Sequence, residues 1–277
     1  MSKTNPVISY YHTFESKLGY KWLKGIKHFG YYPEGKEDLS KKAAQLLMND
    51  QLAERLNLKQ GSVVLDAGCG EGGVARYLIK KYKLKVLGID LLDFNVKQAR
   101  EQAIVEGLDP GLFQEGTYMN LPYDDNTFDG LYTMETLVHA PDYKVAMQEF
   151  HRVLKPGGKL VLFEYTITPP AKTENKKGLM AIRKINEYAS MPAFNVFEHG
   201  TFKDKLTKAG FRQIDEQEIT DRMRPMLEYF HKRARVPYSV IKAFRLQKHF
   251  ANAMSAVEFY KHPDLWKYVT VTAINVK

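Results

Sequence analysis

Cysteine is almost missing from this chain: Cys69 stands alone among 277 residues. That excludes an internal disulfide and a zinc site built from cysteines, and it fits a reducing intracellular compartment. Long hydrophobic runs are missing too. No apolar stretch approaches the roughly 18 residues that a spanning helix needs. The opening MSKTNPVISYYH lacks the apolar core of a secretion signal. A cytoplasmic protein is the expectation. Repeats and low-complexity tracts are absent, and no clustering of ligating residues suggests a metal. Acidic residues are in the minority, 32 Asp and Glu against 41 Lys and Arg, for a formal net charge of +9. Such a balance suits an anionic substrate, a membrane surface, nucleic acid or a lysine-rich solvated surface, and the scatter of the lysines favours the last. The cations are denser only in residues 222–248, where they mix with Met223, Met226, Leu227, Tyr229 and Phe230 in a helical pattern. For that stretch three roles stay open: a solvated helix face, peripheral contact with a membrane, or a grip on an anionic group of a substrate.

What the sequence has in plenty is alternation. Residues 38–57 predict an amphipathic helix. After Gly61, strand-like and helix-like stretches take turns: SVVLDAG then GGVARYLIKKY, KVLGID then FNVKQAREQAIVEG. GLFQEGT and FDGLYTM read as strands, YKVAMQEFHRVL as a helix, PGG as a turn and KLVLFEYT as a strand. This order predicts an α/β fold, a largely parallel sheet with helices on both faces. TFKDKLTKAG predicts a helix with Thr201 at its N-cap. FRQIDEQEIT and WKYVTVTAINV complete the strands. One domain is expected. Its core is residues 37–168, and residues 201–220 and 263–277 return to the sheet. An aromatic N-terminal lid, 1–36, and two insertions, 169–200 and 221–262, would form a cap.

The stretch VVLDAGCGEGG, residues 63–73, places four glycines in six positions directly after a strand and an acid. Glycines there let the chain turn sharply and present backbone N–H groups and a helix N-terminus to a ligand. The G-x-G-x-x-G spacing alone is weak evidence for a dinucleotide. Asp90, at the end of the next strand, is placed to accept ribose hydroxyls. Asp66 breaks the tie, because a carboxylate at the mouth of the loop repels a pyrophosphate and attracts a cationic ligand.

Here the sequence resembles the class I S-adenosylmethionine-dependent methyltransferases. VLDAGCGEGG is similar to their first motif and VLGID to their second. GTYMNLPYDDNTFDGLYTMETLVHA and RVLKPGGKLVL are similar to the later ones. The resemblance implies a Rossmann-like seven-stranded sheet, its last strand antiparallel, and S-adenosylmethionine as cofactor. It implies that Asp66 and the backbone of Gly68 and Gly70 hold the methionine end, that Asp90 holds the ribose, and that Leu91 packs on the adenine. Thr117 stands where many relatives have Asp. Tyr118, through its amide, and Met119 would complete the adenine slot.

Two further stretches resemble the sterol C-methyltransferases and their tocopherol-type relatives. They are LYTMETLVHAPD, residues 131–142, and the aromatic ISYYHTF, Trp22 and KHFGYYPEG. This implies a small lipophilic acceptor: a sterol, isoprenoid, quinol or related natural product, with C-methylation favoured over O or N. Transfer to an alkene carbon leaves a carbocation that needs π faces and a base. Glu135 is the first candidate for base or cation stabiliser, with a grip on the cofactor's ammonium as its alternative. His139, four residues on, is either its catalytic neighbour or a packing residue. Tyr10, Tyr11 and Tyr32 either close over the methyl group or pack the lid. Glu198 and His199 either line the acceptor site or belong to a loop before a helix. The competing activities are methylation of RNA or protein, a non-catalytic scaffold that binds S-adenosylmethionine, and a dinucleotide oxidoreductase. Nucleic acid is not expected as a partner, since no RNA-binding module is recognisable.

Overall fold

A computed structural model of the protein describes residues 5–13, 15 and 27–277. Trp22 and Phe14 of the aromatic N-terminal stretch lie outside the described residues. The sheet consists of β1 (Val63–Ala67), β2 (Lys85–Asp90), β3 (Phe113–Glu115), β4 (Phe128–Met134), β5 (Leu154–Ile167), β6 (Phe211–Glu218) and β7 (Trp266–Asn275). Their order is β3-β2-β1-β4-β5-β7-β6. β1 to β5 pair in parallel, and β7 runs antiparallel to both β5 and β6. This is the seven-stranded arrangement that the motif resemblance implies.

The central strands are apolar almost without interruption because helices cover both of their faces. Val64, Leu65, Leu131, Leu160 and Leu162 are fully buried, and each such side chain contributes about 1.5–3 kcal/mol relative to exposure. The crossovers are α3 (Gly73–Tyr82), α4 (Asp93–Val105) and α5 (Tyr143–Val153); α2 (Lys41–Leu56) and the short α1 (Pro6–Tyr11) precede the first strand. α2 starts at Ser40, whose hydroxyl accepts from the Ala43 N–H at 3.2 Å, and ends at Asn57 in the left-handed region.

Two local expectations are corrected. The PGG segment is not a turn between elements. It belongs to β5, which pairs at Phe128↔Leu154, loops out, and resumes at Gly130↔Lys159. Gly157, with φ 75°, allows that bulge. Thr201 does precede α7 (Phe202–Lys208), but its hydroxyl donates to the Glu198 carbonyl at 2.8 Å instead of capping the helix.

α6 (Lys176–Tyr188), α8 (Thr220–Ala243) and α9 (Ala251–Lys261) come from the two insertions. They meet the N-terminal segment over the C-terminal ends of the parallel strands. Phe29 packs edge-on against Tyr165, Phe230 and Tyr268, and Phe194 and Phe259 close the same cluster around Tyr165. That edge of the sheet, where the crossover direction reverses between β1 and β4, is where open α/β folds place their ligands.

Candidate active site

The loop after β1 is held open by its glycines. Gly68 sits at φ 98°, and a Cβ there would stand 2.6 Å from the Thr136 hydroxyl, which is itself bonded to the Ala67 carbonyl at 2.9 Å. Gly70 is different: its φ is 53°, and no atom lies within 4 Å of where a Cβ would be. Gly68 is therefore required by both conformation and close packing, and Gly70 by conformation beside open space. Cys69 is buried, and burial raises its thiol pKa well above normal, so it is a small packing residue and not a nucleophile.

Two carboxylates face this loop. Asp66 is 3% exposed, and its Oδ2 is buried without a partner at good hydrogen-bond geometry among the described residues, the likewise unpaired Tyr132 hydroxyl lying beside the carboxylate. Burial lifts its pKa to about 7. An orphaned buried carboxylate oxygen is costly, and a cationic group brought to the end of β1 relieves it. Asp90 is almost as buried. Its Oδ1 accepts from Leu92 N–H and from the Asn95 amide, both at 3.0 Å, and its Oδ2 from Gly70 N–H at 2.8 Å. Of roughly four acceptor positions on a carboxylate, one remains, on Oδ2. These residues fit S-adenosylmethionine: a buried acid for its cationic end, an acceptor for a ribose hydroxyl and a glycine loop with space above it.

Leu91, half-buried, follows Asp90 directly. Thr117 turns the chain after β3, its hydroxyl accepting from Met119 N–H at 3.1 Å. The Tyr118 hydroxyl donates to the Thr136 carbonyl at 2.9 Å, tying this turn to the loop after β4, and its ring rests on Phe150. Leu91, Thr117, Tyr118 and Met119 thus sit on the loops beside Asp90.

Glu135 directly follows β4 with φ 59°, a conformation that costs a non-glycine residue about 1–2 kcal/mol. Its buried carboxylate accepts from Phe29 N–H and the Tyr268 hydroxyl, each at 2.8 Å, and from the Tyr165 hydroxyl. Burial nevertheless wins over these three bonds and lifts its pKa to about 7. Tyr165 and Tyr268 face each other across the β5–β7 ladder. An acid is thus held between two phenols, poised near neutrality and ringed by aromatic faces.

His139 does not join Glu135. The segment Leu137–His139 is a single 3-10 turn, and the two side chains take different partners. The His139 Nδ1 is 2.8 Å from the Ser190 carbonyl and its Nε2 is 3.1 Å from the Tyr11 hydroxyl. A carbonyl can only accept, so Nδ1 carries the hydrogen and Nε2 accepts from Tyr11. Burial lowers the imidazole pKa to about 4, so the ring is neutral at physiological pH. Burial first, and then nearby groups that include Asp90 and Glu135, raises the pKa of the Tyr11 hydroxyl well above normal. Tyr10 stacks on the His139 ring and donates to the Asn252 side chain at 2.7 Å.

Three residues expected at the site stand away from it. Tyr32 is buried against Ala44 and Met226 in a separate small cluster, so it packs the lid. His199 has both ring nitrogens engaged, Nδ1 with Thr166 at 2.7 Å and Nε2 with Thr168 at 2.9 Å, and fastens the insertion to β5. Glu198 bridges to Ile167 through its backbone, and its charge acts on Lys205 of α7. Other residues appear that motif reading does not reveal. Lys27 pairs with Glu71 of the glycine loop at 2.9 Å and with Asn95 at 3.1 Å, linking the N-terminal segment to Asp90. Glu164, fully buried, receives the Thr133 hydroxyl at 2.9 Å and Leu137 N–H at 2.8 Å on one oxygen, and so holds the loop after β4. An acid inside the apolar strand KLVLFEYT was the available signal for it. No group of three or more potential metal ligands occurs among the described residues.

Comparison with known proteins agrees with this geometry. The sequence profile of the family described as methyltransferase domain matches residues 65–162. The S-adenosyl-L-methionine-dependent Diels-Alderase iccD of Talaromyces variabilis is 33% identical over 95% of this chain and 92% of its own length. The sterol 24-C-methyltransferase erg6 of Schizosaccharomyces pombe is 30% identical over 81% of this chain, which spans only 58% of that enzyme's length. Among solved structures, the (4+2)-cyclase SpnF superimposes with a TM-score of 0.78 at 25% identity, covering 99% of this chain and 97% of its own. With its glycine loop, its two acids and its seven-stranded sheet in the matching order, the chain belongs to the S-adenosylmethionine-dependent methyltransferase family.

Proposed function

We propose that the protein transfers the methyl group of S-adenosylmethionine to a carbon of a small lipophilic acceptor, such as a sterol, an isoprenoid or a related natural product. The observation that carries this reading is Glu135, a near-neutral acid held by Tyr165 and Tyr268 inside a cluster of aromatic rings. When bound, the cofactor supplies a methyl group on a cationic sulfur. Asp66 and the backbone of Gly68 and Gly70 would hold its methionine end, Asp90 one ribose hydroxyl, and Leu91, Thr117, Tyr118 and Met119 its adenine. The rings of Phe29, Tyr165 and Tyr268 offer π faces to positive charge developing on the acceptor. Either phenol can take a proton from the acceptor while passing its own to Glu135. Tyr11, aligned by neutral His139, borders the reacting space from the N-terminal side.

A second reading is cyclisation of a polyene without methyl transfer. Two relatives that match nearly the whole chain carry cyclase names. Three of the roughly four acceptor positions on Glu135 and the one on His139 are already engaged, an arrangement that suits a reaction needing a shaped apolar cleft and little free base. One experiment separates the two. The protein is incubated with methyl-labelled S-adenosylmethionine, lipophilic acceptors and a whole-cell extract, and both products are followed. Labelled lipid with stoichiometric S-adenosylhomocysteine supports methyl transfer. A product of unchanged mass with no S-adenosylhomocysteine supports cyclisation. Label confined to RNA, protein or polar metabolites refutes both.

A further inference from the structure

The second half of α8 and the turn after it point apolar side chains at solvent. Val236, Val240, Phe244 and Leu246 are 68, 56, 71 and 42% exposed. They are four of the ten large apolar side chains exposed among the described residues, all within positions 236–246. The spacing explains the pattern. Tyr238 and Ile241 face inward, with the Tyr238 hydroxyl on Glu258 at 2.9 Å. Val236, Val240 and Phe244, four residues apart, form a stripe on the opposite side. Left-handed Arg245, at φ 57°, then turns the chain and presents Leu246.

Charge surrounds this stripe. From Tyr229 to Val257 the sequence has no aspartate or glutamate, while Lys232, Arg233, Arg235, Lys242, Arg245 and Lys248 all lie within it and are exposed. Six cations flank the bare apolar stripe, and although Lys232 pairs with Glu228 at 2.6 Å, their positive excess complements a surface that is apolar beneath and negative above. We propose that residues 232–248 dock the protein on an anionic lipid surface, with Val236, Val240, Phe244 and Leu246 entering the headgroup region and the cations lying among the phosphates. Continuity with the site supports the placement. α9, which follows this turn, has its first amides, Asn252 and Ala253, bonded to the Glu15 carboxylate at 2.9 and 2.8 Å, and Asn252 also receives Tyr10 of α1. The docking turn therefore adjoins the N-terminal segment that borders the active site, on the side from which a membrane-dissolved acceptor would arrive.

Vesicle flotation of the full chain tests this without any acceptor, so its outcome is independent of the activity proposed above. Vesicles of phosphatidylcholine with roughly one-third phosphatidylglycerol should retain the protein, and pure phosphatidylcholine should not. Raising the salt concentration should release it. Replacing Val240 and Phe244 by Asp together should cut partitioning at least about tenfold. Arg235→Glu with Lys242→Glu should cut it by about fivefold or more per charge removed. Because all four side chains are exposed, the thermal midpoint should hold, and that measurement separates lost docking from lost fold. Any of these results overturns the proposal: no difference between the two vesicle types, retention unchanged in both variants, or a concentration-dependent dimer in wild type that the Val240 and Phe244 changes dissociate. The last would assign the stripe to a second copy of the chain. Binding to single-stranded RNA that vesicles fail to compete would likewise overturn it.

Discussion

Glu164 offers a sharp test of how this core handles charge. One of its oxygens, Oε1, receives Thr133, Leu137 and, more weakly, Thr136, while Oε2 is buried with no partner among the described residues. Burial raises its pKa from 4.5 to about 8, and the neighbouring Glu135 adds to the rise. A carboxyl with a raised folded pKa gives stability that is fully present below its unfolded pKa and is lost as the pH climbs through the folded one. Glu164 should therefore destabilise the protein progressively between pH 4.5 and about 8. At full effect the slope is about 1.4 kcal/mol per pH unit. Because the neighbouring Glu135 shares the titration, the effect over the window is about 2–4 kcal/mol. Glu164→Gln removes this dependence. Its amide keeps the acceptor at Oε1 and mimics the neutral acid. Other groups add their own slopes: His28 and His139, both lowered to about 4 by burial, make stability rise up to about pH 6.5. The informative quantity is thus the difference between wild type and variant, in which those slopes cancel. Urea unfolding at intervals from pH 5 to 8.5, with m-values checked for constancy, should show the two proteins alike in acid and the glutamine variant ahead at pH 8. Parallel curves across the range would refute the burial argument.

Other perturbations give equally distinct outcomes. Gly68→Ala should cost about 3 kcal/mol or more, since it combines left-handed strain with the Thr136 collision. Gly70→Ala should cost about 1–2 kcal/mol, from conformation alone; thermal melts that rank them the other way contradict the packing described. Asp90→Ala should weaken S-adenosylhomocysteine binding by about 1–3 kcal/mol in calorimetry, and unchanged affinity would remove Asp90 from the ribose. Glu135→Gln should lower turnover at least about tenfold while leaving the melting temperature within a few degrees; a variant with full rate on a lipophilic acceptor shows that Glu135 holds no proton in the reaction. Tyr11→Phe should shift stability by only about 1 kcal/mol but lower turnover, and an unaltered rate would leave Tyr11 as lid packing.

The sheet was legible because its signals are local. Alternating strand and helix periodicities, the glycine loop after VVLDA and the acid closing VLGID each lie within a dozen residues, and the structure places them at one edge of the sheet. What the sequence concealed depends on register. Glu135 meets Tyr165 and Tyr268, which are 30 and 133 positions away, only because β5 and β7 pair Tyr165 with Tyr268. The expected pairing of Glu135 with His139 assumed a helical turn after β4. The left-handed backbone at Glu135 sends the two side chains to different neighbours. Tyr32 and His199 stayed undecided in the sequence for another reason. A tyrosine in a lid or a histidine in a loop has the same composition whether it faces a ligand or fastens a segment, and only their partners, Met226 for one and two threonines for the other, decide. The PGG bulge shows the converse, a strong turn signal absorbed into a strand.

The bond from Phe29 N–H to Glu135 has a thermodynamic consequence. An amide that donates to a carboxyl favours its anion, so the seating of Phe29 and the departure of the Glu135 proton assist each other. Whatever lifts Phe29 away makes the same carboxyl hold its proton more tightly. Proton affinity at the centre of the site and the posture of the N-terminal segment are thus two readings of one equilibrium, and acidity alone should bias how readily that segment lets go.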